Sequence, residues 1–173
     1  GVQGFLGDKH TMKKLLTLIA IMGLACTQQA QASLADQINE NQTDWLLGSW
    51  EADIDGNTIS LSYKWVLKDH VIASHLKTND NESYSLIGLN PESGEIEQTG
   101  YDSKGKKSTG KWGPKGDMPM LIVKSTSDTG ETQSMAVAFR RIDENNIEAQ
   151  IFEVDASGNA GDFSSISFEM KRK

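Results

Sequence analysis

The sequence predicts an all-β protein, an antiparallel up-and-down β-barrel of about ten strands led by a short N-terminal helix. Three observations predict it. First, Trp45-Leu46-Leu47-Gly48-Ser49-Trp50 carries a helix stop at Gly48 and passes straight into alternation of apolar and polar residues that runs nearly unbroken to the C-terminus. Second, clusters of Asn, Asp, Gly and Pro interrupt that alternation at short intervals. Third, every connection is too short for a crossover helix, so neighbouring strands pair antiparallel. A meander of this many strands exposes its edges unless it closes, and closure gives a barrel.

Residues 1–11 do not fit the pattern that begins at Met12 and read as an upstream extension or cloning scar. From Met12 the pattern is that of a signal peptide over 12–32: Lys13 and Lys14, the apolar run Leu15–Ala25, then Ala30-Gln31-Ala32 before Ser33. The apolar run is too short for a permanent bilayer span, and no transmembrane segment is expected later. The expected address is therefore exported, periplasmic or secreted. Gly23-Leu24-Ala25-Cys26 loosely resembles a lipobox, which makes a lipoprotein anchored through Cys26 the rival reading. Cleavage after Ala32 removes that lone cysteine, and with it any disulfide, thiolate nucleophile or cysteine-bound metal.

Residues 33–47 read as an amphipathic helix or a flexible lead. Ser33 suits an N-cap, Asp36 suits the positive end of the helix dipole, and Leu34, Ile38 and Trp45 form an apolar stripe that Asn39, Asn41 and Thr43 weaken. The barrel domain is 48–173. Its expected strands are Ser49–Ile54, Thr58–Leu67, Val71–Thr78, Ser83–Leu89, Glu95–Tyr101, Lys107–Trp112, Met120–Ser127, Thr132–Ile142, Ile147–Val154 and Phe163–Lys171. The second shows the strongest period of two, with Ile59, Leu61, Tyr63, Trp65 and Leu67 set against Thr58, Ser60, Ser62 and Lys64. The turns between strands carry their own chemistry, as in Asn79-Asp80-Asn81, Asn90-Pro91-Glu92-Ser93-Gly94 and Asp128-Thr129-Gly130.

The whole chain has 17 basic and 24 acidic residues. Without Asp8, Lys9, Lys13 and Lys14 there are 14 and 23, a net charge of −9. Such a surface repels phosphate backbones, so no nucleic-acid partner is expected.

Three elements in this order resemble the calycins, the lipocalin and fatty-acid-binding-protein group, and most closely a secreted bacterial lipocalin-like family of uncharacterised proteins. They are Trp45-Leu46-Leu47-Gly48-Ser49-Trp50, Tyr63-Lys64-Trp65 and Gly88-Leu89-Asn90-Pro91-Glu92-Ser93-Gly94, and the resemblance covers about residues 44–172. It implies a barrel whose interior holds a small, mostly apolar molecule. It also implies a basic residue on the last strand packed over the Gly-x-Trp indole, here Arg172 over Trp50, in a structural role. The nitrobindins, the haem-binding calycins, carry an axial histidine near the C-terminus. No histidine follows His75, and Glu51–Ile54 replace their glycine-rich extension, so no cofactor is expected.

The residues proposed to line the ligand site are Tyr63, Trp65, His75, Tyr84 and Tyr101, each an aromatic or imidazole group on an expected strand. An inner face of Tyr84, Leu86 and Gly88, or of Met135, Val137, Phe139 and Arg141, is mixed in polarity, as a partly polar cavity would be. His70 and His75 are five apart on one strand and face opposite sides, so they do not pair on a metal, and no metal site is expected. Neither a Gly-x-Ser-x-Gly elbow, a Walker loop nor a calcium loop is present, and no catalytic residue is assigned. A structural or protein-binding envelope module remains the second reading. A barrel isomerase, cyclase or hydrolase with His75 as base, helped by a carboxylate such as Glu97, is the third. Oligomeric state is left open.

Overall fold

The computed structural model describes residues 31–173. The extension (1–11), nearly all of the expected signal peptide (12–32) and Cys26 lie outside the described residues. The strands are β1 (Gly48–Ile54), β2 (Asn57–Leu67), β3 (Val71–Lys77), β4 (Glu82–Leu89), β5 (Ile96–Asp102), β6 (Lys107–Lys115), β7 (Met118–Thr126), β8 (Thr132–Arg141), β9 (Asn146–Glu153) and β10 (Ile166–Arg172). Each pairs antiparallel with its sequence neighbours, and β1 pairs with β10, so the ten strands form a closed up-and-down barrel. The seam is short: only Trp50↔Arg172 and Glu51↔Lys171 pair across it. By contrast, β1 stays paired with β2 along its whole length, from Gly48↔Tyr63 to Ile54↔Asn57.

The expected helix over 33–47 is in fact two pieces. The first is α1 (Leu34–Glu40), started by a capping box in which the Ser33 hydroxyl accepts from the Asp36 amide and the Asp36 carboxylate accepts from the Ser33 amide. A single 3₁₀ turn comes next, at Asp44–Leu46. Asn41 and Gln42 divide them: the Asn41 side chain donates to the Gln37 carbonyl, and Gln42 adopts φ 54°. Seven residues would not hold a helix alone. Instead α1 is fixed by Leu34, 1% exposed in the main core, and by the Ala35 amide donating to the Asp69 carbonyl in the β2–β3 turn. It therefore lies across the barrel end that carries the β2–β3, β4–β5 and β6–β7 turns.

Residues 107–115 form a longer strand than the expected Lys107–Trp112, and β7 begins two residues early. Gly113-Pro114 and Pro119 suggest breaks when the sequence is read alone. Pro114 faces Pro119 in the β6–β7 pair, yet the β5 ladder ends at Trp112 and the β8 ladder begins at Met120. Both prolines thus sit where no outer neighbour asks for an amide, and the hairpin projects beyond the strands beside it. At the other end of the chain, β10 begins at Ile166 rather than Phe163. The β9–β10 connection packs Ala160 onto an outer cluster of Met120, Ala136, Ala138 and Phe152. That packing buries Ala136 and Ala138 fully, although they point away from the bore.

Inside, the main core joins Trp50, Ala52, Leu61, Tyr63, Ile72, Ile87, Phe139, Ile147, Ala149 and Met170 with Leu34 and Leu46. Gly100 on β5 is required by close approach: a Cβ there would collide with Ser85 Oγ and the Tyr84 carbonyl.

Candidate functional site

The interior is filled at one level and hollow at another. Tyr63 on β2, Trp112 on β6 and Phe139 on β8 come from strands that are not neighbours in the sheet, yet their rings meet. Tyr63 is edge-on to Trp112 (5.8 Å, 78°) and to Phe139 (6.3 Å, 85°), and Trp112 stacks on Phe139 (6.2 Å, 21°). The three rings therefore meet across the bore. Their polar atoms are satisfied within this layer. Trp112 Nε1 donates to Gln98 Oε1 at 3.0 Å, and the Tyr63 phenol lies at the position facing Ser74, whose hydroxyl bonds it. Burial pushes the Tyr63 phenol well above its ordinary pKa, and the Ser74 hydrogen bond only partly offsets this.

Above that layer, toward α1, lies a cleft of about 420 Å³, within the size range of small-molecule sites. Its floor is Tyr63, Trp112, Ile72, Ile87 and Ile96. One wall is α1 with the residues after it, through Leu34, Ile38, Leu46 and Leu47. The other is the projecting β6–β7 hairpin, through Pro114, Met118 and Pro119. Its polar lining is Gln37, Asn41, Thr43, Glu95 and Asp117. A second recess at the opposite end, lined by Lys106, Ser125, Ser127, Glu131, Thr132 and Gln133, has no apolar side chain among its lining residues.

Of the residues singled out in the sequence, Tyr63 lies in the cleft floor. Trp65 points inward and packs against the core, but it is not among the residues lining the cleft. His75, Tyr84 and Tyr101 do not face the interior, which corrects the reading of them as wall residues. They lie opposite one another on β3, β4 and β5, in a row with Ser62 and on the outer face. His75 stacks on Tyr84 with centroids 4.1 Å apart, and its Nε2 lies 2.7 Å from Glu82 Oε1. Tyr84 and Tyr101 remain 59% and 58% exposed. Leu86 shares their outward direction and is 57% exposed, whereas Ser85 and Ile87 turn inward. On β8, Val137 and Phe139 pack into the core, whereas Met135 and Arg141, expected on the same inner face, are exposed. An imidazole on the outer wall has no access to the cleft, so His75 is no base for chemistry there.

What sequence reasoning missed are the isoleucines Ile72, Ile87 and Ile96 and the contribution of α1, whereas Met118-Pro119-Met120 reads in the sequence as adaptable apolar surface near a strand start at a barrel mouth, and Met118 and Pro119 do line the cleft. In the sequence Trp112 stands out only as one aromatic among several. A strict parity count from β2 misses the isoleucines, because a β-bulge between Trp65 and Leu67 shifts the register, so that Ile72 pairs with inward Trp65, Ile87 pairs with Ile72, and Ile96 pairs with Leu89.

Beside the cleft, Trp50 and Arg172 tie the barrel shut. The guanidinium carbon lies 4.1 Å from the Trp50 ring centroid, and Trp50 Nε1 donates to the Leu46 carbonyl at 2.9 Å. Arg172 donates through Nε to Glu144 O and through its two terminal nitrogens to Leu47 O and Trp45 O, each at 2.9 Å. Gly48 makes room for this fork: it has φ 116°, and a Cβ would stand 2.6 Å from an Arg172 nitrogen. The group joins the end of β10 to the residues that lead into β1.

Among the described residues, no group of three or more His, Cys, Asp or Glu side chains is arranged to hold a metal, and no helix is long and apolar enough to cross a membrane. The sequence matches no protein-family model, and comparison with curated proteins finds no relative. The class defined by fold and geometry is a closed ten-stranded antiparallel β-barrel with an apolar cleft at its helix-covered end.

Proposed function

We propose that this is an exported, lipocalin-like protein that binds a small, mostly apolar molecule in the cleft between α1, the β6–β7 hairpin and the Tyr63–Trp112 floor. The single observation that supports this reading is the cleft itself, about 420 Å³ and walled chiefly by Ile, Leu, Met, Pro and aromatic side chains. An apolar ligand there would replace water against these walls at little cost in polar desolvation. The site calls for no cofactor and no metal.

Native mass spectrometry of the purified full chain, before and after solvent extraction, tests the proposal together with titration by n-decanol followed through tryptophan fluorescence. Trp112 is the tryptophan in the cleft floor, so saturable quenching that disappears in Trp112→Phe is the expected result. Absence of any extractable mass together with absence of saturable decanol binding would overturn the reading. The second reading, a protein-binding envelope module, draws on the outer row His75–Tyr84–Tyr101 with Leu86, since such exposed aromatic area is common at protein contacts. It would gain if decanol failed while Tyr84→Ser abolished capture of a defined envelope partner.

A further inference from the structure

We propose that the cleft selects amphiphiles with a neutral or cationic head and rejects anionic ones, so that its ligand class is a lipophilic amine or a quaternary ammonium rather than a fatty carboxylate. The proposal rests on the apolar-ligand reading above and adds the chemistry of the head. Its basis is the charge of the lining: Glu95 and Asp117 are the charged residues around the cleft, and no lysine, arginine or histidine lines it among the described residues. A carboxylate or phosphate placed there would lose water without gaining a cation or a fork of donors, which is unfavourable for a buried anion.

The two carboxylates stand on neighbouring elements: Glu95 leads into β5, which pairs with β6, and Asp117 is at the tip of the β6–β7 hairpin. Asp117 is at the exposed tip of the β6–β7 hairpin and has no ion-pair partner within 4.0 Å among the described residues. Glu95 lies at the foot of β5 and accepts from Lys111 Nζ at 2.7 Å. That hydrogen bond holds the Glu95 carboxyl below its usual range, so it stays ionised well under neutral pH. Lys111 compensates part of its charge, and Arg140 on β8 lies close enough to attract Asp117 without forming an ion pair. The neutral polar groups Gln37, Asn41 and Thr43 line the α1 side and offer hydrogen bonds to a hydroxyl or amine head. Inside, Trp112 and Tyr63 present aromatic rings, surfaces that tolerate an alkylammonium and have no affinity for an oxyanion.

The test uses the full chain and three probes with one tail: decyltrimethylammonium, n-decanol and decanoate, each below its micelle concentration. Binding is read by calorimetry at low and high salt. Decyltrimethylammonium is expected to bind about fivefold more tightly than decanoate, the scale on which exposed charges act, with decanol between them. The gap should narrow as salt is raised. In the Glu95→Gln/Asp117→Asn variant the preference should vanish while decanol binding persists, which also shows that the variant is folded. Decanoate binding as tightly as the ammonium would overturn the inference and leave the apolar site standing. Persistence of the preference in the double variant would overturn the assignment to these carboxylates, because the net charge of the chain would then be its source. Failure of all three probes would instead overturn the proposed function itself.

Discussion

Tyr63 shows how one side chain carries information in both directions. Its place in the sequence, between Leu61 and Trp65 in a clean alternation, already puts it on the inner face. Its contacts with Trp112 and Phe139 were not readable, since they depend on three strands meeting across the bore. Burial has a measurable consequence. An unfolded phenol ionises near pH 10, whereas the folded one holds its proton to higher pH. Above about pH 10 the unfolded state therefore binds fewer protons than the native state, and stability must fall as pH rises, by about 1.4 kcal/mol per pH unit for this one group. The urea midpoint should drop accordingly as pH is raised from about 10 upward. Tyr63→Phe should flatten that decline, while lowering stability at neutral pH by about 1 kcal/mol through loss of the Ser74 hydrogen bond.

Among the elements, β2 was legible and the facing of β4 was not, and the contrast has a physical origin. On β2 one face is apolar and the other is Thr, Ser and Lys, so a single strand declares its own orientation. On β4 the outward residues Tyr84 and Leu86 are as apolar as the inward Ile87 and Leu89, and the inward set includes Ser85. Only pairing with Ser74 and Gly100 on the neighbouring strands fixes which way it turns. The element that decides access to the cleft is α1. It is too short to persist on propensity, so Leu34 anchors it. Leu34→Ala should cost α1 about 2–3 kcal/mol. Hydrogen exchange of the α1 amides should then run roughly fiftyfold faster, and decanol affinity should fall with it. Unchanged exchange would show that α1 is held by something other than this side chain.

At the scale of the whole molecule, strand number, order and antiparallel closure were readable, because turn chemistry and short connections leave few other topologies. The cleft was not. It is assembled from α1, the residues after it, the ends of β2 to β5 and a hairpin whose prolines, in the sequence, argue against its being there at all. The seam is likewise a property of the whole. Arg172 shares the face of Ile166, Phe168 and Met170, which alternation shows, but its carbonyl partners lie 28, 125 and 127 positions away. Arg172→Lys keeps a cation near Trp50 and loses the fork that serves three carbonyls. It should lower stability by about 2 kcal/mol in urea denaturation, where a change near zero would reduce the fork to decoration.

That two-pair seam also sets the tempo of folding. Neighbouring strands find one another through short turns, so β2 to β9 can zip as a growing, curling ribbon while the chain is still being synthesised. The pairing of β1 with β10 is different: it must bring Arg172 to Trp50 and Lys171 to Glu51, from opposite ends of the barrel domain, and it forms last. Until Arg172 leaves the ribosome, β1 keeps a bare edge, and the nascent sheet is open to pairing with any strand that passes. Two residue pairs and one guanidinium therefore end the interval in which this chain is sticky.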